Sequence, residues 1–243
     1  MRKWLGVSLT SVLVLAVGSV RADEASPKVI IERAIKAQGG EENLAKFNAY
    51  TFTEKGKYYG MGEGLDYIGK YAVQFPDRFK MEIQNFFVMV LDGDKGWRNM
   101  AGNTEDLTGD ALKEMQEGRY VSWVASMLPL LKDNDYTLAP LPDTKVADKP
   151  AVGVKVSRKG HRDVKLYFDK GSGMLVRVDH RARDEQAMAD VDEEATLGDY
   201  KDFDGAKMPT KMVVKRDGKL YVEAEVQDLK PAGKLDKSTF AKP

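Results

Sequence analysis

Cysteine is absent from this sequence of 243 residues, and histidine occurs only twice. Without thiols the chain cannot form a disulfide, use a cysteine nucleophile or bind a metal through thiolates. His161 lies in a predicted hairpin turn and His180 at the end of a predicted strand, and no Gly-x-Ser-x-Gly motif supplies a serine nucleophile. We therefore expect a protein that is not an enzyme and that binds no cofactor.

Long hydrophobic runs are scarce as well, since the sequence contains one, near residue 1. Arg2 and Lys3 precede the almost wholly apolar stretch Trp4–Val20, and Val20-Arg21-Ala22 fits a small-residue cleavage site. This pattern predicts a cleavable signal peptide over residues 1–22 and export to the periplasm. An uncleaved membrane anchor is the alternative, but the run is shorter than the roughly 20 residues that a spanning helix needs. Because the cleavage site carries no cysteine, we expect a soluble product without a lipid anchor.

An excess of either charge is missing too, because 38 basic residues balance 38 acidic ones. Removal of residues 1–22 leaves a net charge of about −3, which gives no reason to expect a nucleic-acid partner. The segment from Asp184 to Glu194 is acidic and could gather a hard cation. Its spacing matches no calcium-binding pattern, so we expect no metal and interpret it as a long loop or an exposed hairpin tip.

The sequence has instead a succession of strand patterns, best defined between Phe75 and Trp97. Arg78–Ile83 alternates apolar and polar side chains, as a strand with one face in water does. Phe86–Leu91 consists of six apolar residues, which need apolar cover on both faces. The polar turn Asp92–Gly96 leads to the next strand. The pattern predicts a central antiparallel sheet with a further element packed across its second face.

Helical patterns interrupt the strands near the start and near the middle of the chain. Ser26 caps a predicted helix over Pro27–Gln38, and Glu41–Phe47 is predicted to form a second, short helix. Between Trp97 and Tyr136 apolar residues recur every three or four positions. This spacing predicts either two helices or one helix broken at Gly118.

The segment Tyr120–Leu131 is unusually apolar for a helix. Such a helix has few positions that suit solvent, so we expect it to lie in a groove of the sheet as a lid. The chain then returns to strands, after a Pro-rich loop predicted to end at Pro150.

About ten strands are predicted in all, which favours a strongly curved antiparallel sheet over a flat one. The predicted fold class is α+β: an incomplete β-barrel with an N-terminal helix and a helical lid. No repeat or linker divides residues 23–243, which we expect to form one domain.

Large apolar side chains exceed what a two-layer core of this length needs, so they either fill the core or line a cavity. Residue counts do not separate these two interpretations. Methionine, which adapts to irregular ligands, favours the cavity weakly. The residues predicted to bind a ligand in the cavity and lid are Phe79, Met81, Phe87, Met89, Trp97, Tyr120, Trp123, Met127 and Leu131.

Several motifs, in this order and spacing, resemble the LolA/LolB-like outer-membrane lipoprotein-sorting superfamily. They are Phe75–Phe79, Asp92–Trp97, Tyr167–Asp169 with Gly173–Val176, and Asp199-Tyr200 with Asp204–Pro209. The resemblance covers essentially the whole chain after the predicted signal peptide. It implies a curved, incomplete barrel whose concave apolar face is covered by helices and receives acyl chains.

The function implied by the resemblance is that of a monomeric periplasmic carrier or chaperone for lipid or lipoprotein ligands, active in transport and outer-membrane biogenesis. Carriers of this family place an arginine immediately before the proline that leads into the strand at Arg78, where it fastens the lid; here that residue is Phe75. The competing hypothesis is an envelope interaction or stress-sensing module that has a filled core and a partner protein, such as a membrane-anchored envelope protein.

Overall fold

The computed structural model describes residues 26–184 and 188–243. The predicted signal peptide at residues 1–22 lies outside the described residues. No helix within these ranges combines the length and apolar character needed to cross a membrane.

Helices and strands follow one another along the chain with short turns between them. The helices are α1 (Pro27–Ala37), α2 (Glu41–Ala45) and α3 (Gly109–Ala125), with short 3₁₀ helices at Lys46–Asn48, Leu128–Leu131 and Lys237–Phe240. The strands are β1 (Ala49–Tyr58), β2 (Leu65–Gln74), β3 (Arg78–Ile83), β4 (Phe87–Asp92), β5 (Lys95–Met100), β6 (Asn103–Leu107), β7 (Tyr136–Val146), β8 (Lys149–Arg158), β9 (Val164–Asp169), β10 (Leu175–Asp184), β11 (Ala189–Phe203), β12 (Ala206–Arg216) and β13 (Lys219–Ala232).

All of these strands form one antiparallel sheet in the order β6-β5-β4-β3-β2-β1-β13-β12-β11-β10-β9-β8-β7. Neighbours in this order are consecutive in sequence except at the centre, where β1 pairs with β13. The sheet is curved and unclosed, as predicted. The predicted number of about ten strands is too low, since the described residues contain thirteen. The strand β6 was missed because its sequence, Asn-Thr-Glu-Asp-Leu, is too polar to show a strand pattern.

The path of the chain forces α3 across the concave face of the sheet. The chain leaves β6 at one edge and resumes in β7 at the opposite edge, so the segment between them must cross from edge to edge. Leu112 of α3 accordingly lies beside Gly96 of β5, and Tyr120 stacks on Tyr136 of β7. The predicted helical cover of the sheet is confirmed.

The boundaries of this cover differ from the prediction. One continuous helix runs through Gly118 to Ala125, and the predicted lid helix Tyr120–Leu131 is therefore split between the end of α3 and a 3₁₀ turn. Met127 at the junction has φ of 64°. Pro129 has no N–H to donate to the Ala125 carbonyl, and its ring would clash with that carbonyl in a continuous helix, which accounts for the end of α3.

The apolar strand β4 is covered on both faces at Val90 and Leu91, whereas Phe86, the first of the six apolar residues, lies in the preceding turn and is exposed. Leu91 faces the concave side, where it lies opposite Phe79, and Val90 faces the convex side. There Val90 packs with Phe240 of the C-terminal 3₁₀ helix, and both side chains are fully buried. The element across the second face of the sheet is thus the C-terminal segment.

Helix α1 follows its predicted bounds within one residue, and its end is fixed against the turn between β11 and β12. Gly39 has φ of 111°, and a Cβ at this position would lie 1.9 Å from the carbonyl oxygen of Gly205. Only glycine permits both this conformation and this approach. The Lys207 N–H also donates to the Gln38 carbonyl oxygen at 2.8 Å.

One predicted loop is strand instead, and a second segment, predicted as a long loop or an exposed hairpin tip, forms the paired arms of a hairpin. The strand β7 continues to Val146 and β8 begins at Lys149, so the Pro-rich loop predicted up to Pro150 is wrong. An edge strand such as β7 tolerates proline, because its outer N–H groups have no partner strand.

The acidic segment 184–194 forms the end of β10 and the start of β11 on either side of residues 185–187. Its acids pair with arginines on the sheet: Arg181 with Asp192 at 3.0 Å, and Arg177 with Glu194 at 3.4 Å. The strands β10 and β11 therefore extend into this polar segment.

Candidate functional site

A cavity of about 500 Å³ lies between α3 and the concave face of the sheet, over strands β10, β11 and β12. The short helices at Glu41–Ala45 and Lys46–Asn48 close one end of it. Its wall is mainly apolar and includes Leu44, Phe47, Tyr50, Phe75, Val121, Leu128, Leu175, Val178, Leu197, Met208 and Met212.

Small side chains account for the position of this cavity. Gly118 and Ser122 share one face of α3, Ser126 continues this spacing at the residue that follows the helix, and all three line the cavity. A Cβ at Gly118 would meet no atom within 4 Å. Ala182 and Ala195 line it from the sheet. The space stays open because the facing side chains are too short to meet.

None of the nine residues predicted to bind a ligand lines this cavity in the part of the chain that the structure describes. Four of them lie together on the concave face of β3 and β4, as the strand register requires, and are half-buried: Phe79, Met81, Phe87 and Met89. Trp97 was expected beside them but lies on the convex face with Val90, because it is one residue out of phase with the concave positions of β5.

The four predicted lid residues pack into or against the main core beneath the helices. Tyr120 stacks on His161 with ring centroids 3.9 Å apart, and Trp123 packs on Phe75 at 4.8 Å. Met127 is fully buried and Leu131 is partly buried. Trp123 thus contacts Phe75, which lines the cavity.

The polar end of the cavity lies near the turn between β12 and β13. His180 Nε2 lies 3.3 Å from Glu193 Oε1, and Arg216 Nε donates to Glu193 Oε2 at 2.8 Å. Burial by itself lowers the pKa of His180, but the hydrogen bond and charge of Glu193 outweigh it and raise the pKa above its ordinary value. Burial raises the pKa of Glu193, and His180 and Arg216 together more than reverse this. These charges satisfy one another.

We predict that His180→Gln destabilises the protein in acid and has little effect in base. A raised folded-state pKa means that protonated His180 contributes fully below the ordinary value of about 6.5, and that this contribution is lost as pH rises through the higher folded value. Glu193, with a lowered pKa, stays ionised throughout this window. Urea unfolding at about pH 5.5 should show a loss of about 1 kcal/mol, which should fall toward zero near pH 9.

A Glu193→Gln background supplies the control for this experiment, because it removes the partner that raises the pKa of His180. In that background the extra loss that His180→Gln causes in acid should disappear, because burial lowers the pKa of His180 once Glu193 no longer opposes it. A pH-independent loss in the wild-type background would contradict the assigned ion pair.

Glu54 is a second buried acid on the concave face, but it lies outside the cavity. It accepts hydrogen bonds from the hydroxyl groups of Tyr67 and Tyr71 at 2.8 and 2.5 Å. Burial raises the pKa of Glu54 and outweighs the opposing effect of the two hydroxyls. A raised pKa would suit a general acid, but both hydroxyl groups are already bound to the carboxylate.

Arg119, on the inner side of α3, is buried, and only 6% of its surface is exposed. Its guanidinium lies 4.5 Å from the ring centroid of Phe75 and 5.5 Å from that of Phe79, and Tyr50 is its hydrogen-bond partner. Within residues 26–184 and 188–243 its Nε and Nη2 have no hydrogen-bond partner, and no carboxylate pairs with it. Burial lowers the pKa of Arg119, and Tyr50 opposes part of this effect.

The contacts of Arg119 with two aromatic rings and Tyr50 offset part of the cost of burying its charge. Burial of an ion costs several kcal/mol, whereas a desolvated cation–aromatic contact contributes about 2 kcal/mol. Phe75 stands where the family resemblance implies a lid-fastening arginine. In this structure Arg119 of α3 contacts the ring of Phe75, the residue at that position.

An unclosed, curved antiparallel sheet with a helix across its concave face and a cavity beneath that helix defines the LolA-like fold. No protein-family model and no curated protein matches this sequence. Solved structures that are similar to it in fold include three whose match covers 88–89% of this chain and 97–98% of the other.

A LolA superfamily protein from Nitrosomonas europaea is 10% identical, with a TM-score of 0.59. A DUF1329 family protein from Desulfovibrio piger is 12% identical, with a TM-score of 0.60. A domain from Vibrio parahaemolyticus, described as a candidate outer membrane lipoprotein-sorting protein, is 13% identical, with a TM-score of 0.56. At these identities the comparisons establish the LolA-like fold.

Proposed function

We propose that this protein is a non-enzymatic periplasmic carrier that holds an acyl chain of a lipid or of an acylated protein in its cavity. The observation that carries the proposal is the apolar cavity of about 500 Å³ between α3 and the concave face of the sheet. This volume falls within the roughly 300–1,000 Å³ of ordinary small-ligand sites.

The chemistry of the cavity favours an apolar ligand over a reacting substrate. Its charged residues at one end are paired with each other, and the buried acid Glu54 does not line it. The similar structures include a LolA superfamily protein and a candidate lipoprotein-sorting domain, which supports the same class of ligand. The signal-peptide pattern over residues 1–22 supports a periplasmic location.

Lipid that co-purifies with the protein provides the direct test. The full-length gene product should be recovered from the periplasmic fraction, extracted with organic solvent and examined by mass spectrometry. We expect at least one acylated lipid in near-stoichiometric amount. If no lipid is recovered and a fluorescent acyl probe does not bind, the carrier proposal fails, and cross-linking to a partner protein becomes the test of the interaction-module hypothesis.

We predict that Ala195→Trp blocks the cavity and weakens binding of a fluorescent acyl probe by at least about tenfold, which is about 1.4 kcal/mol. Ala195 lines the cavity from β11, and an indole ring there would occupy the space of the ligand. The matched control is Ala189→Trp, at an exposed position of the same strand. Equal probe affinity in the two variants would place the ligand elsewhere.

A further inference from the structure

Arg119 differs from the other buried and half-buried charged residues of α3 in having no partner of opposite charge among the described residues. On the same helix, Glu114 accepts a hydrogen bond from Arg162 at 2.7 Å, and Glu117 lies 2.9 Å from His161. Arg119 contacts two aromatic rings and one tyrosine instead. A buried cation without a counter-ion, exposed over only 6% of its surface, would be stabilised by an anion that arrives with a ligand.

The unpaired atoms of Arg119 are those that recognise a carboxylate or a phosphate. Nε–H and one N–H of Nη2 lie parallel on one edge of the planar guanidinium, and both nitrogens lack a partner in the described ranges. This edge donates two parallel hydrogen bonds to a pair of anionic oxygens.

The cavity reaches the surroundings of this guanidinium. Tyr50 and Phe75 both contact Arg119 and both line the cavity, as do Gly118 and Val121 on either side of it along the helix. Burial raises the pKa of Tyr50, with Arg119 opposing part of the effect, so the tyrosine hydroxyl keeps its proton and can donate it to an anion. An anionic group in the part of the cavity next to Tyr50 would therefore be separated from Arg119 only by the Tyr50 side chain.

We propose that the Nε/Nη2 edge of Arg119, with the Tyr50 hydroxyl beside it, binds the anionic oxygen pair of an amphiphile whose acyl chain occupies the cavity. The inference rests on the proposed carrier function and narrows its ligand to a carboxylate or phosphate amphiphile. The paired charges of His180, Glu193 and Arg216 at the polar end do not serve this purpose, because Arg216 is already bound to Glu193.

Competition for a fluorescent acyl probe by three amphiphiles with the same twelve-carbon chain tests the proposal. These are dodecanoate, monododecyl phosphate and dodecanol, each below its micelle concentration, with the full mature protein. The wild type should bind at least one of the two anions about tenfold more tightly than dodecanol, and the better of the two identifies the headgroup. Arg119→Met should lose this preference and keep its affinity for dodecanol within about twofold. Lys113→Met, which removes an exposed cation from the same helix, should behave as wild type.

A structural role for Arg119 would show itself in the stability of the ligand-free protein. Replacement of a buried, unpaired charge by an apolar side chain of similar volume should leave the melting temperature of Arg119→Met equal to that of wild type or a few degrees higher. A fall of several degrees would assign Arg119 to packing and overturn the proposal. Arg119→Lys keeps the charge without the paired donors, and it should bind the preferred anion at least about threefold more weakly than wild type.

The outcomes separate this inference from the function on which it rests. If the wild type binds the anions and dodecanol equally, the role of Arg119 is refuted and the carrier function stands. If Arg119→Met retains the preference for the anion, the role of Arg119 is likewise refuted. If the wild type binds neither the probe nor any of the three amphiphiles, the carrier function itself fails.

Discussion

Val90→Asp should abolish cooperative folding, with an expected loss of about 4 kcal/mol or more. Val90 is fully buried on the convex face of the sheet, where it packs with Ala72 and Trp97 beneath Phe240. A carboxylate there would be removed from water by the C-terminal segment. Lys80 lies directly opposite on β3 and could reach the new charge, but a buried ion pair still costs desolvation of both groups.

Val88→Asp is the matched control for this prediction. Val88 points to the same face of the same strand but is only half-buried, so we expect about half the loss or less. Chemical unfolding followed by fluorescence measures both variants. A soluble Val90→Asp protein that unfolds cooperatively with the wild-type midpoint would refute the placement of β4 beneath the C-terminal segment.

Met127→Ala should cost the protein about 2–5 kcal/mol without weakening the binding of an acyl probe. Met127 is fully buried within the main core at the junction between α3 and the following 3₁₀ helix, and it does not line the cavity. Fixed neighbours surround it, so truncation leaves a void that cannot collapse completely. Met127→Leu, which conserves volume, should cost less than about 1.5 kcal/mol.

Trp123→Ala should have the opposite profile, although Trp123 lies only one turn earlier. Its ring is half-buried and packs on Phe75, which lines the cavity. We expect a loss of less than about 1.5 kcal/mol, below the range for a packed core residue, together with weaker probe binding. Thermal unfolding measures the stability of both alanine variants, and titration with the probe measures their binding. If both variants lose stability in the full core range and the wild type binds no probe, the carrier function would be excluded.

The position of the cavity differs from the site predicted from the sequence. The prediction chose the largest apolar side chains, on β3, β4 and the lid, but large side chains fill space. The cavity lies where small residues face one another, such as Gly118 and Ser122 on α3 and Ala195 on β11. The recurrence of Gly118, Ser122 and Ser126 at intervals of four was visible in the sequence and is the signal that could have located it.

Arg119 was missed for a different reason. In the sequence it is one of 38 basic residues and follows Gly118 in a segment with ordinary charge spacing. Its burial depends on Phe75 and Tyr50, which lie 44 and 69 positions away. No local sequence pattern predicts whether a cation will contact a carboxylate or an aromatic ring that is this far away in the sequence.

The sequence by itself determined the class of the fold and most of its hairpins. Alternation within strands, turn residues such as Asp217-Gly218 and the cap at Ser26 act over a few residues, so they can be recognised without tertiary contacts. The tertiary structure alone decided which strands meet at the centre of the sheet and what lies on each face. The pairing of β1 with β13 and the passage of α3 from one edge to the other depend on contacts between residues that are far apart in the sequence. These long-range contacts place the cavity over β10–β12, bury Arg119 beside it and place Phe240 on the opposite face.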